Sequence, residues 1–209
     1  MGLPVLVLGE SGSGKSTSLR NFKPGEVVIY NVAGKPLPFR HGKEFKKADN
    51  AGYEKIISGM AKKKFNCYVI DDSQYLLCFE LFNRSSELGY QKFTDMAKNF
   101  YDLIQFVIKA LPPDIIVYFL HHTENVDGKL KAKTIGKMLD EKLTVEGLFS
   151  IVIMAKNDDG KHIFVTNSDG KDTVKTPMEM FAEDKIDNDL KLVDTTIREY
   201  YGLKGIEEK

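Results

Sequence analysis

Short, nearly continuous apolar runs alternate along this chain with segments whose apolar residues recur every three or four positions. Leu3–Leu8 is a run of the first kind, and it ends in a glycine-rich stretch. Ser16–Phe22 then reads as a helix stopped by Lys23-Pro24-Gly25. Glu26–Asn31, with Val27, Val28, Ile29 and Tyr30, is a second β-rich run. A basic, proline-containing connection follows over Lys35–Lys47, then a helix around Asn50–Lys64 and a third buried strand over Cys67–Asp71. Phe93, Met96, Ala97, Phe100, Ile104, Val107, Ile108 and Leu111 form one helical stripe, terminated by Pro112-Pro113. Ile115–Leu120 predicts a fourth strand, Thr134–Glu146 a helix and Phe149–Ala155 a fifth strand. Asn157-Asp158-Asp159-Gly160 is a hairpin signal before Ile163-Phe164-Val165. Asp187–Tyr201 closes the pattern as a helix.

Apolar strands separated by helices predict an α/β fold with a mainly parallel sheet covered on both faces, plus a C-terminal antiparallel hairpin. With no internal repeat or low-complexity linker, residues 1–203 read as one domain and 204–209 as a flexible tail. At 209 residues and 42% apolar composition, the chain is long enough to bury a substantial core. Lysine and arginine total 30, as do aspartate and glutamate, so net charge offers no argument for nucleic-acid binding. Basic residues nevertheless gather at Lys35–Lys47 and Lys129–Lys142, and acidic ones at Glu179–Asp194. Cys67 and Cys78 have no partner spacing for zinc or a redox pair, and read as free thiols in a reducing compartment. No apolar run approaches the roughly 20 residues of a membrane span. Met1-Gly2-Leu3-Pro4 lacks a basic leader region, and the expected location is the cytoplasm.

The strongest chemical signal is Gly9-Glu10-Ser11-Gly12-Ser13-Gly14-Lys15-Ser16, followed by Thr17. It fits the phosphate-binding loop pattern in its required context, after a strand and before a helix. Glycines let the backbone fold around a phosphate, N–H groups face the anion, and Lys15 adds a full charge. Ser16 is the expected Mg²⁺ ligand, with Thr17 beside the phosphates. The strand ending in Asp71-Asp72 supplies the carboxylates such a site needs. In one register Asp71 serves the metal and Asp72 orients water; in the other, Asp72-Ser73 is the metal-binding pair and the base comes from elsewhere. A plain alternative is that the pair caps the following helix.

His121-His122-Thr123-Glu124 ends the fourth strand, where a γ-phosphate sensor or a solvated strand end is expected. Lys129, Lys131, Lys133, Lys137 and Lys142 suit DNA phosphates or a neighbouring subunit's nucleotide, or else an ordinary solvated helix face. Lys35, Arg40, Lys43, Lys46 and Lys47 interleave with Phe39 and Phe45, a pattern suited to single-stranded nucleic acid.

Glycine loop, Asp-Asp-Ser and His-His strand tips and closing hairpin together resemble the RecA-like P-loop ATPases that bacteriophages encode beside replication and recombination genes. Some of those relatives anneal single strands. The resemblance extends to Asn31-Val32-Ala33-Gly34-Lys35-Pro36-Leu37-Pro38 and to Lys133-Thr134-Ile135-Gly136-Lys137-Met138-Leu139-Asp140. It implies ATP and Mg²⁺ as ligands and a ring or filament of identical subunits. Single-stranded DNA or a phage or host replication protein is the implied partner, in the cytoplasm of an infected or lysogenic bacterium. It also implies that the His121 strand lies between the loop strand and the Asp71 strand. Asn31 stands where RecA recombinases carry a catalytic Glu, so turnover would lean on Asp72 or Glu124. Two other activities are open to the motifs. One is a nucleotide-gated loader or regulator with little turnover; the other is a small-molecule kinase, disfavoured by the few arginines (Arg20, Arg40, Arg84, Arg198) available for a lid.

Overall fold

The computed structural model describes residues 1–206, apart from the side chains of residues 140 and 141. Its strands, among the described residues, are β1 (Leu3–Gly9), β2 (Val28–Asn31), β3 (Lys46–Asp49), β4 (Cys67–Asp71), β5 (Ile116–Val126), β6 (Lys129–Ala132), β7 (Ile151–Asp158), β8 (Lys161–Val165) and β9 (Lys185–Asp187). The α-helices are α1 (Tyr53–Met60), α2 (Tyr75–Asn83), α3 (Gln91–Ala110) and α4 (Leu190–Tyr201). The sheet runs β3-β2-β4-β5-β1-β7-β8-β9, with β6 pairing β5 off this path. The first six of these strands are parallel, and β8 and β9 are antiparallel. The expected α/β architecture is therefore present, and β5, which carries the two histidines, lies between β1 and β4 as the resemblance implied.

Alternation along the strands divides the core. Leu6, Leu8, Tyr68, Ile70, Val117 and Phe119 face α1 and α3, where Phe100, Leu103, Ile104 and Val107 are fully buried. Each such side chain contributes roughly 1.5–3 kcal/mol, so the α3 stripe is a principal anchor of the sheet. Val5, Val7, Cys67, Val69, Tyr118 and Leu120 face the opposite way, onto α4 (Leu190, Val193, Ile197) and onto Leu19 and Phe22. Helix α4 begins where Asp189 accepts hydrogen bonds from the Lys191 and Leu192 N–H groups, and ends at left-handed Gly202.

Four sequence expectations are corrected. The helix after the glycine loop is a six-residue 3-10 turn, Ser16–Asn21, whose Ser18 hydroxyl bonds the Lys15 carbonyl. Clustered Ser and Thr side chains compete for the backbone groups an α-helix would use. The predicted Thr134–Glu146 helix is a π-helical turn, Met138–Leu143, and a 3-10 turn, Val145–Leu148, separated by Thr144 at φ 55°. The Lys35–Lys47 connection runs into β3, a charged edge strand with no apolar alternation to announce it. Finally, β5 does not stop at Leu120 but continues into a hairpin with β6 through Asp127-Gly128, both at positive φ. That dipeptide is a type I′ turn signal obscured by the polar sequence around it. At the C-terminus, where a flexible tail was expected from residue 204, Lys204 N–H donates to Asp114, the Gly205 carbonyl accepts from Asn66, and Ile206 packs against the core. Residues 207–209 of that tail lie outside the described residues.

Candidate functional site

Strands β1, β4 and β5 deliver their C-terminal ends to one edge of the sheet, and the glycine loop closes over it. Gly12 and Gly14 adopt φ of 79° and 98°, which side-chain-bearing residues rarely take. At Gly9, a Cβ would lie 2.4 Å from the Ser13 hydroxyl and 2.8 Å from the Ala155 carbonyl. Ser11, Gly12, Ser13, Gly14, Lys15, Ser16 and Thr17 line a cleft of about 240 Å³ together with Lys35, Pro36, Pro38, Asp71, Asp72 and His122. Gly9 and Glu10 sit on the other side of the loop, and their carbonyls accept hydrogen bonds from the buried Lys15 ammonium at 2.7 and 2.8 Å. Burial lowers the Lys15 pKa to about 8, against the pull of Asp72 and Asp71.

The Ser16 hydroxyl donates to Asp71 Oδ1 at 2.8 Å across 55 residues of sequence. Both are hard oxygen donors, which is the chemistry Mg²⁺ takes, and their juxtaposition fits the first register of the sequence reading. Burial raises Asp71 to about 6, partly offset by the Ser16 bond, so a cation at that carboxylate would relieve an unfavourable charge.

Asp72 differs from its neighbour in backbone conformation and in its hydrogen-bond partners. Its backbone sits at φ 60°, a conformation Asp tolerates better than most residues, and this turns its carboxylate into the cleft. The chain then re-enters the core, where Ser73 N–H bonds the Leu120 carbonyl. Burial alone would raise Asp72. Hydrogen bonds from His122 (3.1 Å) and Lys35 (2.9 Å) outweigh it and hold the carboxyl at about 2. Lys35 also lies over the Tyr75 ring, 5.0 Å from its centroid, and His122 meets the same ring edge-on.

The two histidines part company. His122 lines the cleft, whereas His121 is fully buried against Phe100 and bridges Ser73 and the Lys133 carbonyl. Burial lowers its pKa to about 4, so the ring is neutral near pH 7. With Nε2–H donating to Lys133, Nδ1 accepts from Ser73. Glu124 is beyond the cleft lining, in the β5–β6 hairpin opposite Lys131, and accepts the Thr134 N–H at 3.3 Å. Lys129 and Lys131 lie on β6, Lys133 follows it with its N–H on the His122 carbonyl, and Lys137 begins the π-helical turn.

The second basic stretch divides between the core, the sheet edge and the cleft. Phe45 is buried, and half-buried Phe39 packs on it edge-to-face. Lys47 pairs with Asp49, while Lys35 belongs to the cleft. Asn31, in place of the expected Glu, is buried and donates its amide to the Lys35 carbonyl (2.6 Å) and to Asp49 (2.8 Å). Sequence reading grouped Lys35 with the basic stretch and missed Tyr75; the flanking Gly34, Pro36 and Pro38 were the available sign of a fixed loop. Among the described residues no group of three or more His, Cys, Asp or Glu side chains forms a metal-binding cluster, and no helix is long and apolar enough to cross a membrane. Compared with known proteins, the chain matches no family model and no curated protein.

Proposed function

We propose that this chain is a Mg-ATP-binding, ATP-hydrolysing protein with a RecA-like P-loop core, acting on single-stranded DNA in phage recombination or replication. The observation that carries the nucleotide part is the Ser16–Asp71 hydrogen bond beside Lys15: a loop serine and a strand-tip carboxylate meet where a phosphate-bound cation is needed. Gly12 to Thr17 would cradle the phosphates, with Ser16 and Asp71 holding the metal. Bound there, Mg²⁺ supplies charge neutralisation at the phosphate oxygens. In hydrolysis a water oxygen forms the new bond to the γ-phosphorus, the β–γ phosphoanhydride bond breaks, and ADP leaves. Asp72 is the carboxylate in reach of that cleft to accept the water's proton, and His122 orients it. Lys129, Lys131, Lys133 and Lys137 would meet DNA phosphates or reach a neighbouring subunit's nucleotide.

Calorimetry with Mg-ATP and phosphate-release assays test this reading. Wild-type protein binds, and Asp72→Asn lowers turnover at least tenfold while changing affinity little; unchanged turnover would remove Asp72 from the chemistry. The nucleotide-gated module is the second reading, favoured by Asn31 in the acid position and by the two partners already holding Asp72. Phosphate release that stays negligible with and without single-stranded DNA would select it.

A further inference from the structure

Four charged side chains converge on the cleft: Lys15 and Lys35 against Asp71 and Asp72. Lys15 and Asp71 belong to the loop and strand tip. Lys35 comes from elsewhere, the connection after β2, and that connection is built to hold it. The Asn31 amide fixes the Lys35 carbonyl at 2.6 Å. Gly34 is left-handed at φ 68°, and a Cβ there would lie 2.5 Å from Asn50 Oδ1. Pro36 and Pro38 restrict the backbone beyond it and line the cleft themselves. The side chain is a different matter: 60% of it is exposed, against 11% for Asp72, so its ammonium can change partner without backbone movement.

We infer that Lys35 is the γ-phosphate-recognising cation of this site, supplied by the same chain, and that it acts by moving from Asp72 to the nucleotide. The inference rests on the nucleotide-binding reading above. Without ligand, Lys35 neutralises Asp72, and two ammonium groups balance two carboxylates. A triphosphate entering beside Lys15 brings an anion into the space Lys35 already borders, and Lys35 is drawn to its terminal oxygens. Asp72 then keeps only its His122 contact. A diphosphate does not place charge in that position and leaves the Lys35–Asp72 pair closed. Lys35 thus distinguishes triphosphate from diphosphate, with no second subunit required.

The test compares Mg-ADP with the Mg complex of a non-hydrolysable ATP analogue by calorimetry on the full chain. In Lys35→Met, affinity for the triphosphate analogue falls about tenfold while ADP affinity stays within about twofold, and Lys35→Arg recovers most of the difference. Equal loss for both nucleotides, or no loss for either, overturns the inference. Wild-type protein that binds neither nucleotide defeats the underlying reading instead, so the two failures are distinguishable.

Discussion

Two clusters of buried charge sit on this sheet, and they are organised differently. Between the sheet and α4, Asp194 accepts hydrogen bonds from Tyr118 and Arg198, and the same guanidinium reaches the carbonyls of Asn66, Asp114 and Lys204. Both charged side chains are almost wholly buried, and beyond each other their partners include Asn66, Asp114, Tyr118 and Lys204. At the strand tips, Lys15 spends its ammonium on its own loop, Lys35 reaches Asp72 from solvent, and Asp71 is raised by burial with Ser16 as its hydrogen-bond partner. The first cluster is closed and its members have nothing to exchange. The second holds provisional pairs, whose charges are available to an incoming anion and cation. Buried charge marks function where its partners can be replaced, not where it is most buried.

Mutations separate the two. The largest effect is expected for Arg198→Ala, which strands the Asp194 carboxylate in the core and loses about 3–5 kcal/mol of stability in a denaturant melt. A loss below about 1 kcal/mol would mean that the closed cluster is not a structural tie. Lys15→Ala is expected to do the reverse, leaving the melt nearly unchanged while Mg-ATP affinity drops about a hundredfold; unaltered affinity would sink the nucleotide assignment. Next comes Asp71→Asn. Burial raises this carboxyl from 3.8 to about 6 in the folded chain. Its contribution to stability is therefore fully present below the unfolded value and lost as pH rises through about 6. The Asn variant, uncharged throughout, should be about 3 kcal/mol more stable at pH 7 without ligand, and lack that pH slope between 4 and 6. A less stable variant would show that the Ser16–Asp71 bond outweighs the charge penalty. The same groups set the pH range of binding. Mg-nucleotide affinity should be greatest between about 6, where Asp71 ionises, and about 8, where free Lys15 loses its proton. Flat affinity from pH 5 to 9 would contradict it. The smallest effect belongs to the hairpin: replacing Lys129 by Ala should lower the salt slope of single-strand binding by about 0.7, the value of one phosphate contact on a single strand.

Much of the sheet was legible because parallel strands buried on both faces announce themselves as unbroken apolar runs; Cys67–Asp71 was delimited to the residue. What escaped had no apolar signature. Strand β3 carries Lys46-Lys47-Ala48-Asp49, and the outer half of β5 carries Thr123-Glu124-Asn125-Val126, so in both places backbone pairing rather than side-chain burial makes the strand. At the site, the glycine loop and Asp71-Asp72 could be read because their chemistry is local in sequence. Which aspartate meets Ser16 and which meets Lys35 was not readable, since only the fold brings those side chains beside them. The pairing of Lys35 with Asp72 was hidden for the same reason: thirty-seven residues separate the two, and only the fold closes that distance.

Strand β5 is continuous from its pairing with β1 at Ile116–His122 to its pairing with β6 at Thr123–Val126. In mechanical terms it is a propped beam: its root lies in the core, its turn is Asp127-Gly128, and just past that turn Leu130 N–H donates to the Lys171 carbonyl. At about 3.3 Å per residue, the tip stands roughly 17 Å from His122. The turn that Lys129 borders is therefore braced from two sides, by β5 running out from His122 and by the segment at Lys171 and Asp172.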